Sequence, residues 1–146
     1  MYKKILVPLD GSDRAEAILP HVKDLATCYR AEVLFLQVIE PNVLYSSPYD
    51  AYPELNLAEY EDRTPEAEEY LKQLVDEYLA DDLAANYRVK YGSVVLAILE
   101  IAEAENVDLI AMVSHGRTGL SRVFYGSVAA GVLHRIDRPL LLIRSQ

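Results

Sequence analysis

A glycine-containing loop in the last third of the chain has the residue types of an anion-binding site. It carries glycines, arginines, hydroxyl groups and an imidazole at Ser114, His115, Gly116, Arg117, Thr118, Gly119, Arg122, Gly126 and Ser127. Glycine tolerates positive φ and lets backbone N–H groups approach a ligand closely. Ser127 would open a helix, whose first N–H groups and dipole attract an anion. The spacing indicates a phosphate-binding loop, although a strand-to-helix connection that only needs tight turns fits the same spacing.

A carboxylate, Asp10, follows the first apolar run of the chain and Pro8, a residue that interrupts regular secondary structure. Asp10 is placed to orient a metal ion or a ribose hydroxyl, and an aspartate near a helix start also acts as a cap. Ser12 can cap the helix that follows. Both interpretations of Asp10 stay open from the residues alone, and it is the one candidate metal ligand.

Several catalytic and nucleotide-binding patterns are absent from the sequence. It contains neither G-x-x-x-x-G-K-[ST] nor G-x-G-x-x-G after the first strand, and no lysine follows Lys90. His21, His115 and His134 are too scattered to form a metal site by spacing, and no Ser-His-Asp arrangement is evident. We therefore assign no catalytic residue and expect little or no nucleotide hydrolysis.

The chain of 146 residues has a formal net charge of −9, which argues against general affinity for nucleic acid or anionic membranes. Carboxylates are concentrated between residues 40 and 69, whereas residues 113–146 carry arginines with Asp137 as the only carboxylate. An anionic ligand would be drawn to the second region. Cys28 is the single cysteine and no secretory or membrane-spanning segment is evident, so we expect one cytoplasmic domain over residues 1–146.

Apolar periodicity predicts strands that alternate with helices along the chain. The predicted strands are residues 3–7, 31–39, 86–91, 108–113 and 139–143, and the predicted helices are 15–29 (bent at Pro20), 64–83, 93–106 and 127–136. Strict alternation requires right-handed crossovers and predicts a doubly wound parallel α/β sheet with helices on both faces. In such sheets ligands bind beyond the strand carboxyl ends where the winding reverses, and both Asp10 and the glycine loop belong to that rim.

The segment from Pro41 to Arg63 loses this periodicity. It is acidic and contains tyrosines at Tyr45, Tyr49, Tyr52 and Tyr60. We expect an irregular segment that is more mobile than the sheet and serves as a lid, a partner surface or a connector. Thr64 followed by Pro65 predicts the start of the next helix, because threonine is a good N-cap and proline suits the first helical position.

Four segments in order carry the pattern of a known family: KKILVPLDGSDRAEAIL, LFLQVIEP, YGSVVLAILEIAEAENVDLIAMVSHGRTGLSRVFYGSVAAGVLH and RPLLLIR. In these segments the chain resembles the universal stress proteins, small α/β proteins of which many bind ATP. The resemblance covers the whole chain and implies a five-stranded Rossmann-like sheet of order 3-2-1-4-5. The last strand is then outermost, and its apolar edge predicts a homodimer formed through Leu140 to Ile143.

Nucleotide-binding members of this family carry G-x-x-G, nine further residues and G-[S/T]. Gly116, Gly126 and Ser127 match the second part of that motif, and Val113 stands in place of its first glycine. The resemblance implies that Pro8 and Val38 border an adenine and that Asp10 lies near the ribose or a metal. The residues implied to surround ribose and phosphates are Val113, Ser114, His115, Gly116, Arg117, Thr118, Gly119, Gly126, Ser127, Val128 and Ala129.

Three functions remain open at this point. The first is the binding of an adenine nucleotide as a regulatory or sensing ligand in a stress response. The nucleotide would be ATP, or else AMP or a related nucleotide, with Mg or Mn accompanying the phosphates. The second is a dimeric interaction protein that binds no nucleotide and uses residues 41–63 as its partner surface, which Val113 favours. The third is an adenylyl-transferring or hydrolytic enzyme with a catalytic residue near Asp10 or His115.

Overall fold

The computed structural model describes residues 1–41, 43–44, 54–55, 57–114 and 126–144. Its main sheet has five parallel strands, namely β1 (Lys4–Leu9), β2 (Glu32–Ile39), β5 (Ala85–Tyr91), β6 (Leu109–Val113) and β7 (Leu140–Ile143). Their order across the sheet is β5-β2-β1-β6-β7, which is the predicted order 3-2-1-4-5 when these five strands are counted along the chain. A separate antiparallel pair consists of β3 (Val43–Leu44) and β4 (Glu54–Leu55).

Five helices connect and cover the strands: α1 (Asp13–Glu16), α2 (Leu19–Tyr29), α3 (Leu57–Ala80), α4 (Val94–Ala104) and α5 (Ser127–Leu133). Buried side chains of α1, α2 and α3 share one apolar cluster with alternate residues of the strands, such as Val7 and Phe35. Buried side chains of α4 and α5 share a second cluster with the intervening residues, such as Leu6 and Leu34. The sheet is therefore covered on both faces, as predicted. None of the described helices has the length and apolar character needed to cross a membrane.

The predicted single helix over residues 15–29 is wrong, because the structure divides it into α1 and α2. Pro20 lies in the first turn of α2, where its missing N–H leaves no hydrogen bond unmade. Ser12 caps α1 as predicted, since its Oγ accepts a hydrogen bond from the Ala15 N–H at 3.2 Å.

The predicted start of a helix at Thr64 is also wrong. Helix α3 begins at Leu57, so Pro65 lies inside it, and the strands β3 and β4 also fall within the segment expected to be irregular. Tertiary contacts hold the extra turns: Arg63 Nη1 donates to the Glu40 carbonyl at 3.3 Å, and the Thr64 and Tyr91 hydroxyls lie 2.6 Å apart. Two helices also end earlier than predicted. Helix α3 ends at Ala80 instead of residue 83, and α5 ends at Leu133 instead of residue 136.

Candidate functional site

The strands β1 and β6 separate before they end. Their paired positions are Ile5 with Leu109 and Leu6 with Ile110, although β1 continues to Leu9 and β6 to Val113. The chain winds from β1 towards β2 on one side and returns to β6 on the other, so this is the point where the winding reverses. A crevice at such a point is the usual ligand site of an open parallel sheet.

A cavity of about 450 Å³ lies between these separated strand ends. It is lined by Pro8, Leu9, Asp10, Ala15, Leu36, Gln37, Val38, Glu40, Pro41, Arg63, Val94, Met112, Val113, Ser114, Gly126, Ser127, Val128 and Ala129. The volume suits a small organic ligand. Residues from both faces of the sheet contribute, because side chains alternate along each strand.

The wall on the α4 and α5 side is apolar. Leu36, Val38, Met112 and Val128 belong to the cluster on that face, and Pro8 shares their alternation. The opposite wall contains Leu9, Ala15 and Val113 from the α1 side together with the amide of Gln37. A flat apolar ring fits the first wall, and a polar group is available on the second.

The start of α5 closes one end of the cavity. Gly126 is the N-cap residue of this helix, with φ −54° and ψ 154°, and its N–H donates to the Ser114 carbonyl at 2.6 Å. Gly126 makes no side-chain cap, and no other cap is found among the described residues. Ser127 and Val128 line this end of the cavity, and the N–H groups of a helix start would stabilise an anion there.

Asp10 is held in a tight turn at the mouth of the cavity. Its Oδ1 accepts hydrogen bonds from the Ser12 N–H at 3.0 Å and the Ser12 Oγ at 2.5 Å. Gly11 between them has φ +78°, a conformation that favours glycine. Among the described residues no group of three or more metal-ligating side chains is found, so a metal at Asp10 would need further oxygens from a ligand and water.

Val113 fits its position without backbone strain. It lies in strand β6 in register with Ile143, and it is not among the described residues with positive φ. Its side chain is 7% exposed and packs in the α1-side cluster, away from the wall formed by Pro8 and Val38. The valine side chain therefore takes up space at the α1-side wall of the cavity. It leaves the wall formed by Pro8 and Val38 unobstructed.

The cavity brings together many of the residues predicted from the sequence: Pro8, Asp10, Val38, Val113, Ser114, Gly126, Ser127, Val128 and Ala129. The predicted residues His115, Gly116, Arg117, Thr118 and Gly119 lie outside the described residues. Sequence reasoning missed Gln37, Glu40, Arg63, Val94 and Met112, which also line the cavity. The only sequence signal for Gln37 is its amide within a run, residues 33–39, that is otherwise apolar.

A partly buried hydrogen bond holds α1 against α3 beside this wall. The Tyr70 hydroxyl donates to Glu16 Oε1 at 2.8 Å. Burial, and after it the Glu16 carboxylate, raises the pKa of Tyr70 well above its ordinary value. Tyr70 therefore stays protonated, and it is a constant donor that positions the helix carrying Ala15.

Comparisons with known proteins identify the family of the chain. The sequence pattern of the universal stress protein family matches residues 1–144. The universal stress protein MJ0577 of Methanocaldococcus jannaschii is 33% identical over 156 aligned positions, which cover 99% of this chain and 96% of that protein. A solved structure of MJ0577 has a TM-score of 0.81 at 32% identity and covers 100% of this chain and 98% of that one.

Two other solved structures share the fold at lower identity. One is a universal stress protein in complex with cAMP, with a TM-score of 0.72 and 19% identity over 99% of this chain and 98% of that one. The other is the universal stress protein from Archaeoglobus fulgidus in complex with dAMP, with a TM-score of 0.68 and 19% identity over 97% of this chain and 98% of that one.

Proposed function

The chain belongs to the universal stress protein family, and we propose that it binds an adenine nucleotide, ATP in the first instance, between the ends of β1 and β6. The observation that carries this proposal is the cavity itself. It combines an apolar wall, a turn carboxylate at Asp10 and an uncapped helix start at Ser127. These features suit a base, a ribose and phosphates respectively.

The base would lie at the β2 end of the cavity. The Glu32 N–H donates to the Lys3 carbonyl beside β1 at 2.8 Å, whereas the Val33 N–H donates to the Ala84 carbonyl beside β5 at 2.8 Å. Even-numbered residues of β2 therefore direct their backbone groups towards β1. Because β1 ends at Leu9, opposite Gln37, the Val38 carbonyl is directed past that end and could accept from the amino group of adenine.

The phosphates would lie at the start of α5. Ser127 and the backbone of residues 126–129 line that end of the cavity, and Arg117 or Arg122 of the adjoining loop would supply positive charge. Mg or Mn would accompany the phosphates, with Asp10 as the protein ligand. We assign the nucleotide a regulatory or sensing role in a stress response, with little or no hydrolysis.

The two relatives solved with cAMP and with dAMP support this assignment, because both ligands are adenine nucleotides. Isothermal titration calorimetry with ATP, AMP, cAMP and ITP tests it. We expect the adenine nucleotides to bind and ITP to bind at least tenfold more weakly, since its 6-oxo group would face the Val38 carbonyl. Absence of binding by all four at millimolar concentration would reject the proposal.

We further propose a homodimer formed through β7. Among the strands that the structure describes, β7 is paired only with β6 and forms one edge of the sheet, and each of its residues Leu140 to Ile143 is half-buried. An unshielded apolar edge pairs readily with a second copy across a two-fold axis.

The competing function is a dimeric interaction protein that binds no nucleotide and uses residues 41–63 as its partner surface. It is favoured by Val113, whose side chain takes up space in the cavity where the family motif has glycine. Mass spectrometry of protein purified without added ligand helps to separate the two functions, because a retained adenine nucleotide excludes the second.

A further inference from the structure

One buried polar atom of a residue that lines the cavity lacks a partner. Among the residues that the structure describes, Gln37 Oε1 is the buried side-chain oxygen or nitrogen with no hydrogen bond. Buried polar groups in folded proteins are almost always paired, so each exception requires an explanation. Gln37 lines the cavity, and a ligand in that cavity is the most direct source of the missing donor.

The surroundings of Gln37 give no structural reason for an amide. Its cross-strand partners are Leu9 on β1 and Val89 on β5, and the next residue on the same face of β2 is Phe35. All three are apolar side chains of the α1-side cluster. A leucine or methionine at this position would remove the penalty of an unsatisfied acceptor, so the amide weakens the unliganded protein.

The position of Gln37 along the cavity indicates which part of a ligand it meets. Gln37 directly precedes Val38, which belongs to the apolar wall. The strands β1 and β6 separate Gln37 from the start of α5. A ligand with its anionic end at α5 therefore presents its ring end to Gln37. The ring of adenine carries an amino group with two N–H donors, of which the Val38 carbonyl can accept one.

Resting on the proposed function, we infer that Gln37 determines specificity: its Oε1 accepts the second N–H of the adenine amino group. The site then presents two acceptors to the 6-position of a purine. A purine without the amino group leaves Gln37 Oε1 unpaired, as it is in the empty protein.

The test is a double-mutant cycle between protein and ligand. Calorimetry measures the affinities of the full-length wild type and Gln37→Leu for ATP and for purine riboside 5′-triphosphate, which lacks the amino group. We expect removal of the amino group to cost the wild type about tenfold more affinity than it costs Gln37→Leu, because the variant loses only the bond to the Val38 carbonyl. Gln73→Leu, which replaces an exposed glutamine on α3, serves as the matched control and should behave as the wild type.

Two further measurements make the inference specific. The unliganded Gln37→Leu protein should melt at the same temperature as the wild type or at a higher one. If the leucine variant does not fold, Gln37→Met takes its place in the double-mutant cycle. With 2′-deoxy-ATP and 3′-deoxy-ATP the wild type and the variant should lose affinity by equal factors.

Equal losses in the wild type and the variant on removal of the amino group would overturn the inference and leave adenine binding intact. Unequal losses with a deoxy nucleotide would also overturn it, because Gln37 would then bind a ribose hydroxyl. If ATP itself does not bind the wild type, this inference is rejected together with the proposed function.

Discussion

Leu6 and Ile110 are the last paired residues between the two central strands of the sheet, although both strands continue for three more residues. This early separation creates the cavity, because the ends of β1 and β6 no longer share hydrogen bonds and a ligand can enter between them. The candidate site therefore results from one feature of the backbone of this family fold, the early separation of β1 and β6.

Gly126→Val should lower the affinity for ATP by about a hundredfold, or about 2.7 kcal/mol. The backbone at this residue, with φ −54°, accepts a valine, so the loss comes from the side chain that fills the phosphate end of the cavity. Val113→Gly is the matched change at the other wall. It should leave the affinity unchanged or raise it up to tenfold while destabilising the fold, since a buried side chain is lost.

Calorimetry on both variants, with thermal melting as a check on folding, measures these effects. If Val113→Gly binds ATP and the wild type binds no nucleotide, the interaction-protein hypothesis is favoured.

Leu142→Pro should abolish the proposed dimer and leave a folded monomer. The Ile110 and Ser114 N–H groups donate to the carbonyls of Pro139 and Ile143, so odd-numbered residues of β7 face β6 and Leu142 faces the free edge. Proline is tolerated at such an edge position, whereas Leu141→Pro would remove a hydrogen bond to β6 and destabilise the chain. Analytical ultracentrifugation at micromolar concentration, with Leu142→Ala as the side-chain control, distinguishes these outcomes. A wild-type monomer under these conditions would refute the dimer.

Gly131→Ala should destabilise the protein by about 1–2 kcal/mol, although alanine is the better helix former. A Cβ at Gly131 would lie 2.8 Å from Val95 Cγ2 and 3.3 Å from Val95 Cγ1 on helix α4. Valine has little rotameric freedom in a helix, so the two helices must move apart. Chemical denaturation should show that the same substitution costs less in a Val95→Ala background. An equal cost in both backgrounds would mean that the two residues are not in tight contact.

Asp108→Asn should destabilise the protein by about 1 kcal/mol at pH 7, a modest value because the carboxylate is partly exposed. Asp108 Oδ2 accepts hydrogen bonds from the Lys3 and Lys4 N–H groups at 2.7 and 2.8 Å, and these lower the pKa of the carboxyl. A carboxyl with a lowered folded pKa stabilises the protein above its unfolded pKa, about 3.9, and that stabilisation is lost as the pH falls through the folded value.

The difference between wild type and Asp108→Asn should therefore be smaller at pH 3 than at pH 7 in urea unfolding. Asp76→Asn, on the exposed side of α3, is the control. A difference that is the same at both values of pH would contradict this assignment.

The sequence predicted the elements of the main sheet well because each strand has a continuous or alternating apolar pattern. Strand order came from the family resemblance, and the structure confirms it. The start of α3 could not be predicted, since Thr64 and Pro65 form a local start signal and the contacts of Arg63 and Thr64 that extend the helix are tertiary. Gln37 escaped notice for a similar reason, because only the three-dimensional structure shows that its oxygen is buried and unpaired.

A crystal structure of the protein with ATP at millimolar concentration tests the central claim most directly. We expect the adenine ring against Pro8 and Val38, with its amino group towards the Val38 carbonyl and Gln37 Oε1, and the phosphates at the start of α5 beside Ser127. An empty cavity in crystals grown with saturating ATP, or a nucleotide bound away from the ends of β1 and β6, would contradict the proposed site.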